Sequence, residues 1–162
     1  MARKFIYLVL ALILPVGVFI FLRSFGKNEF SIPVYYELGI EDPSLGCPYL
    51  YSAPYRVADS ILLRVAKTNY SATLLVVDTS SQVKVGLKRL TGEFDPSEYQ
   101  LLFPDKDPAI WDHWCACVFF LRKPWSAVLI DSKNQIRGYY SPNTREEMDR
   151  MIVEMKILLK KY

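Results

Sequence analysis

The clearest cluster of potential metal ligands in this sequence is formed by His113, Cys115 and Cys117. Imidazole nitrogen and thiolate sulfur are ligands that copper binds well in proteins. On a helix each residue turns the chain by about 100°, so Cys115 and Cys117 point away from each other and cannot share one ion. His113 and Cys117 are four residues apart and could share one. The segment is therefore only a weak prediction of a metal site.

A packing role is the favoured interpretation of the same residues. Buried free cysteines are common, and the helical spacing predicts Cys117 in the core and Cys115 beside Trp111 and Val118. The third cysteine, Cys47, could form a disulfide with either of them in an oxidising compartment. The sequence leaves the existence and the pairing of this disulfide open.

No other motif points to catalysis. The chain has a single histidine and lacks the Gly-x-Ser-x-Gly, phosphate-loop and His-Glu-x-x-His patterns. Asp78 and Asp131 stand at the ends of predicted strands and could form a carboxylate pair, but capping of turns is the favoured role for both. With so few groups for nucleophilic or acid–base chemistry, we expect no enzyme activity, no catalytic residues and no cofactor.

Residues 5–22, FIYLVLALILPVGVFIFL, form an uninterrupted apolar run. A membrane-spanning helix needs about 17–25 such residues. The sequence after it, LRSFGKNEF, lacks the small residues of a signal-peptide cleavage site. We therefore expect residues 1–25 to be an uncleaved, single-pass transmembrane helix. The flanking basic residues differ little between the two sides and give only a slight preference for an N-terminus in the cytoplasm.

Residues 26–54 are predicted to be a connector, because prolines and glycines punctuate them. Tyrosines are frequent in and just after this segment, and aromatic side chains usually find a surface on which to pack. They are Tyr35, Tyr36, Tyr49, Tyr51 and Tyr55. The connector is therefore expected to pack on the domain or on a partner.

Residues 55–162 show alternating strand and helix patterns. Strands are predicted at residues 60–68, 73–77, 99–103, 127–130 and 135–140. Helices are predicted to begin near Thr79, Asp107 and Thr144, and the first and last of these have capping-box spacing. The order β-β-α-β-α-β-β-α predicts an α/β domain with a mixed central sheet.

The predicted helices have apolar stripes at helical spacing. The stripe of the first is Val83, Leu87, Leu90 and Phe94; that of the second is Ile110, Trp114, Cys117, Val118 and Leu121; that of the third is Met148, Met151, Ile152, Met155 and Leu159. Asn134, in the turn between the last two strands, is expected to adopt a left-handed conformation.

The segment from residue 127 contains V-L-I-D, then I-R-G-Y-Y, then E-E-x-D-R. It resembles the C-terminal end of the Sco/SenC family, thioredoxin-fold proteins anchored on the outer side of bacterial or mitochondrial inner membranes that deliver copper to cytochrome c oxidase. The resemblance implies a thioredoxin-like domain in the periplasm, held at the inner membrane by the N-terminal helix. It also implies that Pro124 could be a cis proline.

The resemblance does not extend to the family's copper ligands. Sco proteins bind copper with a C-x-x-x-C pair after the first core strand and with a histidine shortly before V-L-I-D. Residues 78–83 of this chain, DTSSQV, contain no cysteine, and Lys123 stands near the position of the histidine. Hydroxyl and ammonium groups cannot replace thiolate and imidazole. The chain is thus expected to keep the family's frame without its copper site.

These observations predict a non-catalytic structural or assembly subunit of a membrane complex, with a respiratory complex as the first candidate. The net charge of +3, without a basic block, does not indicate nucleic-acid binding. Candidate interaction residues are Trp111, Trp114, Trp125, Arg137, Tyr139 and Tyr140. One alternative is a copper-binding assembly factor for cytochrome oxidase, with a relocated site at His113, Cys115 and Cys117. The other is a thiol oxidoreductase that uses Cys115 or Cys117 together with Cys47.

Overall fold

The computed structural model describes residues 2–25, 30–40, 47, 51–65, 70–104 and 108–161. The chain consists of two compact units, Met1–Phe30 and Ser31–Tyr162. The predicted boundary between anchor and connector lies close to the boundary between these units. The second unit contains both the predicted connector and the predicted α/β domain.

The first unit consists of one helix, α1, Ala2–Phe25, with Pro15 inside it. Its side chains from Ala11 to Phe21 are exposed and almost all apolar. Within the described part of the chain, no helix has both the length and the apolar character needed to cross a membrane.

The second unit is a mixed α/β domain. Its elements, in chain order, are α2 (Asp59–Val65), β1 (Ala72–Val76), α3 (Ser81–Glu93), β2 (Tyr99–Leu102), α4 (Pro108–Cys117), β3 (Ala127–Asp131), β4 (Ile136–Tyr140) and α5 (Arg145–Leu158). The four strands form one sheet in the order β2-β1-β3-β4. β1 and β2 are parallel, whereas β3 is antiparallel to both β1 and β4. The predicted mixed central sheet is confirmed.

The strand predicted at residues 60–68 is wrong, because Asp59–Val65 is the helix α2; residues 66–68 lie outside the described residues. A short apolar run fits a strand and a buried helical turn equally well. Asp59 in the first turn favours the helix, since a carboxylate interacts well with the positive end of the helix dipole. Leu62 then packs into the core from this helix.

Helix α3 begins one residue later than predicted. Its N-cap is Ser80, whose hydroxyl accepts a hydrogen bond from the Val83 N–H, and not Thr79. Asp78 explains the shift, because its carboxylate accepts a hydrogen bond from the Ser80 N–H at 2.8 Å and turns the chain before the helix. At α5 the predicted cap is confirmed, since the Thr144 side chain accepts from the Glu147 N–H.

Apolar side chains cover both faces of the sheet. One face packs against the stripes of α3 and α5, which contain Val83, Leu87, Leu90, Met148, Met151, Ile152 and Met155, as predicted. The other face packs against α2, α4 and the segment after α4.

The prediction that Ile110 lies on the buried stripe of α4 is wrong, because its side chain is 45% exposed. Helix α4 ends at Cys117, so the buried Val118 and the half-buried Leu121 lie beyond it.

The β3–β4 hairpin follows the sequence prediction closely. Asn134 has a φ of 62°, the left-handed conformation that was expected in the turn. The carboxylate of Asp131 accepts hydrogen bonds from the N–H groups of Lys133 and Gln135, at 2.8 and 2.9 Å. The turn is therefore fixed by a side chain at the end of β3, in the manner typical of aspartate in turns.

Candidate functional site: an aromatic groove beneath a strap

Parts of the connector pack on the α/β domain; we call residues 31–40 and 51–57 the strap. The Tyr35 N–H donates to the Ile136 carbonyl at 2.9 Å, and the Val57 N–H donates to the Asn134 carbonyl at 2.9 Å. Both acceptors belong to the β3–β4 hairpin. The strap therefore covers part of the sheet edge at β4, where unpaired backbone groups would otherwise be exposed. The prediction that the connector packs on the domain is confirmed for these residues.

Three tyrosine hydroxyls bind consecutive carbonyls at the end of α4. Tyr51 donates to Cys117, Tyr55 donates to Val118, and Tyr139 donates to Phe119, each at 2.8 Å. The last carbonyls of a helix have no partners within the helix. Two of the three donors come from the strap and one from β4. Together they hold the segment that follows α4 in a defined position.

A disulfide between Cys47 and Cys117 joins the connector to the same helix end. It decides the pairing that the sequence left open. It also corrects the interpretation of Cys117 as a free core cysteine, although the residue is buried. Cys115 is the free cysteine and is half-buried. Burial, and to a lesser degree the charge of Asp112, raise the pKa of the Cys115 thiol to about 11.

The structure does not assemble His113, Cys115 and Cys117 into a metal site. His113 is exposed, and the sulfur of Cys117 is bonded to Cys47. Among the residues that the structure describes, no group of three His, Cys, Asp or Glu side chains could hold a metal ion.

The positions at which the resemblance would place a Sco-type copper site lie at the start of α3 and before β3. Thr79, Ser80 and Ser81 are exposed, and the carboxylate of Asp78 is used in the turn before the helix. Lys123 is exposed, and the peptide bond between Lys123 and Pro124 is cis, as the resemblance implied. These side chains offer hydroxyl and ammonium groups, which do not suit copper.

Asp78 and Asp131 do not form a pair. Asp131 is opposite Ala72 at the start of β1, whereas Asp78 follows the other end of that strand. Each carboxylate accepts backbone N–H groups in its own turn. The favoured interpretation of both residues as turn caps is confirmed.

The candidate interaction residues fall into two groups. Trp111, Tyr139 and Tyr140 are buried, whereas Trp125 is 43% exposed and Trp114 and Arg137 are half-buried.

The side chain of Tyr140 donates to Glu154 at 2.6 Å and lies beneath the Arg150 guanidinium. That of Arg137 forms an ion pair with Asp131 at 3.2 Å and donates to the Ile32 carbonyl. Arg137 and Tyr140 are thus held by internal contacts, and Trp125 is the candidate that is most available to a partner.

A groove of about 660 Å³ lies between the strap and the segment after α4. Its aromatic lining consists of Tyr35, Tyr36, Phe120, Trp125 and Tyr139. Ring centroids are 5.8 Å apart for Trp125 and Tyr139, 5.1 Å for Tyr139 and Tyr35, and 5.0 Å for Tyr36 and Phe120. We call this feature the aromatic groove.

The walls of the aromatic groove carry two exposed charges of opposite sign, Glu37 on the strap and Arg122 before β3. Neither side chain forms an ion pair with another described residue. Leu38, also in the lining, is 91% exposed. The groove thus combines an apolar aromatic floor with one positive and one negative group, a composition typical of binding sites.

The sequence did not identify this groove. It singled out Trp125 and Tyr139 as interaction candidates, and it predicted that the strap tyrosines pack on a surface. The site was not recognised because Arg122 is about 85 residues away in sequence from its other members, Tyr35, Tyr36 and Glu37. The density of tyrosines in a proline-rich connector was the available signal.

Comparison of the chain with models of known protein families and with curated proteins finds no match. The class of protein is therefore given by the fold alone, a mixed α/β domain with a four-stranded sheet. The particular function must be argued from the residues of the domain and its groove.

Proposed function

We propose that this chain is a membrane-anchored, non-catalytic subunit or assembly factor of a membrane complex, with a respiratory complex as the first candidate. Its domain is a thioredoxin-like domain related to the Sco/SenC proteins and faces the periplasm. The observation that carries the proposal is the aromatic groove, a preformed surface for a partner on a domain whose Sco-type copper positions hold other residues.

The element order of the domain supports the thioredoxin-like assignment. Two strands, each followed by a helix, precede a hairpin and a final helix, and the strands form a mixed sheet. The sequence pattern predicted an additional first strand at residues 60–68, where the structure has the helix α2.

The sequence of residues 5–22 supports the anchor, because an uninterrupted apolar run of this length satisfies the requirement for a span. Several side chains of this run lie outside the described residues. The Cys47–Cys117 disulfide supports a periplasmic domain, since disulfides persist in oxidising compartments and are rare in the bacterial cytoplasm.

The side chains that line the aromatic groove favour binding over catalysis. The described titratable groups that line the groove are one carboxylate, one guanidinium and three tyrosines, of which Tyr139 is buried. Burial raises the pKa of Tyr139, which keeps its phenol neutral and unsuited to proton transfer near neutral pH. A concave aromatic surface with few reactive groups is better suited to holding a partner segment.

The test is the size of the assembly in native membranes. Membranes of the source cell that carry the tagged full-length chain are solubilised in mild detergent and separated by native electrophoresis. We expect the chain to migrate in a complex much larger than itself, and to migrate alone after treatment with denaturing detergent. Migration as a single chain in the untreated sample would remove the proposal.

A thiol oxidoreductase is the second candidate, and the observation that favours it is the disulfide at Cys117, two residues from the free Cys115. Two facts oppose it: Cys117 is buried, and the raised pKa of Cys115 leaves almost no thiolate to attack a disulfide. Insulin reduction by the full chain in the presence of dithiothreitol separates the candidates. A rate above that of the Cys117→Ala variant would favour the oxidoreductase.

Copper binding by the same cysteines is tested directly. The full chain, reduced and metal-free in detergent, is titrated with Cu(I) against a chromophoric competitor. Under the proposed function, binding does not exceed that of a variant in which Cys47, Cys115 and Cys117 are all serine. Tight one-to-one binding that is lost in the Cys115→Ser/Cys117→Ser variant would show copper delivery through a relocated site.

A further inference from the structure

The aromatic groove has the lining of a site for an extended chain. Its rings follow one another in contact, Trp125 against Tyr139, Tyr139 against Tyr35, and Tyr36 against Phe120. The Tyr35 and Tyr36 rings are 6.2 Å apart and join the two parts of this series. Tyr139 and Phe120 are buried and support the rings of Tyr35, Tyr36 and Trp125, which are accessible to a ligand that presents apolar groups at intervals along its length.

Proline-containing segments meet this requirement at low entropic cost. A polyproline II helix is already extended before binding, so little conformational freedom is lost when it docks. Grooves lined by tyrosine and tryptophan are the surfaces that recognise such segments in proteins. The apolar rings of proline pack on the aromatic rings, while the exposed Trp125 and Leu38 provide contacts at the rim.

The two charges on the walls specify the flanks of the ligand. Arg122 is exposed and favours an acidic side chain, and Glu37 on the opposite element favours a basic one. Because neither forms an ion pair with a described residue, a ligand meets them without first breaking such a pair. The groove is therefore complementary to a segment with one charge of each sign.

Backbone conformation shows that the groove walls are held in an unusual geometry. Tyr36 and Phe120 have φ values of 59° and 50°, and Gly39 has a φ of 99°. Left-handed conformations are uncommon for aromatic residues and persist where the surroundings impose them, often at ligand sites. Here the tyrosine hydroxyls that bind the carbonyls of Val118 and Phe119, just before Phe120, fix the wall.

From these observations we infer that the aromatic groove binds an extended, proline-containing segment of a partner protein, with an acidic residue at Arg122 and a basic residue at Glu37. The inference rests on the proposed function and specifies the kind of segment by which the partner is held.

The first experiment selects ligands without assuming their sequence. A random twelve-residue peptide library displayed on phage is selected on the full chain in lipid nanodiscs, with empty nanodiscs used for depletion. We expect the enriched peptides to share proline, apolar residues and an acidic residue. Absence of enrichment, or enrichment of peptides without proline, would overturn the inference.

The second experiment places the selected peptide in the groove. Trp125→Ala is expected to weaken its binding by about 30-fold, as for an aromatic hot spot. Leu38→Ser, at an exposed position where folding is not at risk, is expected to weaken it by about threefold. Val153→Ala on α5, an exposed apolar residue outside the groove, serves as the matched control and should leave affinity unchanged. Equal affinity for all four proteins would overturn the inference.

A charge exchange tests the orientation of the ligand. Arg122→Glu is expected to lower affinity for the selected peptide about tenfold, and a peptide with lysine in place of its acidic residue should recover the loss. Lys84→Glu on α3, an exposed lysine outside the groove, is the control. If the lysine peptide binds the Arg122→Glu variant no better than the original peptide does, the assignment of the acidic residue to Arg122 is overturned.

Native electrophoresis separates failure of this inference from failure of the proposed function. If the unaltered chain migrates in a large assembly and Trp125→Ala does so equally well, the groove is not the partner site and only the inference falls. If the unaltered chain migrates alone while peptides still bind at the groove, only the proposed function falls.

Discussion

Cys47 and Cys117 are joined by a disulfide that closes a loop across 70 positions of the sequence, with Cα atoms 5.5 Å apart. Cys117 also presents its carbonyl to the Tyr51 hydroxyl, so the connector is tied to one helix end by a covalent bond and by a hydrogen bond. Phe120, which lines the aromatic groove, follows Cys117 by three residues. The geometry of the groove therefore depends on this link between the connector and α4.

Removal of the disulfide is expected to destabilise the domain. Cys47→Ala frees a long loop in the unfolded chain, which corresponds to about 2–4 kcal/mol of unfolding free energy. Guanidinium unfolding of the full chain in detergent, followed by tryptophan fluorescence, measures the loss. Cys115→Ala leaves the disulfide intact and is the matched control. Reduction with dithiothreitol should lower the stability of the unaltered chain and of the control but not that of Cys47→Ala.

Gly138→Ala is expected to cost about 2–3 kcal/mol of unfolding free energy. A Cβ atom at this position would lie 2.2 Å from the hydroxyl oxygen and 2.6 Å from Cζ of Tyr140. Tyr140 is fully buried and bound to Glu154, so its ring cannot move away freely.

The matched control for this substitution is Gly92→Ala in α3, where no atom lies within 4 Å of the added Cβ. It should stabilise the domain by up to about 1 kcal/mol, because alanine is the better helix former. Thermal unfolding of both variants measures the difference. A Gly138→Ala protein as stable as the unaltered chain would show that Tyr140 adapts.

Arg137→Met is expected to loosen the strap. The substitution leaves the buried carboxylate of Asp131 without its ion pair and removes the donor to the Ile32 carbonyl, at a cost of about 2–4 kcal/mol. Hydrogen exchange at the Tyr35 amide, which is bound to Ile136, should quicken as the strap opens.

Arg89→Met provides the comparison, because it removes an exposed ion pair with Asp149 that contributes less than about 1 kcal/mol. Exchange at Tyr35 should be unaffected in this variant. Equal effects of the two arginine substitutions on that amide would contradict the role of Arg137 in holding the strap.

Cys115 is expected to react slowly with iodoacetamide near neutral pH. Its pKa of about 11 leaves roughly one thousandth of the thiol ionised at pH 8, about a hundredfold less than for an unperturbed cysteine. The rate should continue to rise with pH up to about 11, since only the thiolate reacts. Mass spectrometry of the folded and the denatured chain measures both rates, and a plateau of the folded rate near pH 9 would refute the assignment.

The sequence by itself determined those parts of the domain in which local signals agree. The stripe of α5, its Thr144 cap, the left-handed Asn134 and the hairpin were all predicted, because helical periodicity, capping and turn chemistry act over a few residues. The resemblance to the Sco/SenC proteins was carried by this same region.

Only the tertiary structure decided features that depend on distant contacts. The apolar run after Asp59 fits two kinds of element, and packing against the sheet selected the helix α2. Three cysteines allowed several pairings, and the position of the connector selected Cys47 with Cys117. The groove joins a strap near residue 36 to a wall near residue 122, and local sequence does not encode that proximity, because it arises only when the strap pairs with β4 and its tyrosines bind the end of α4.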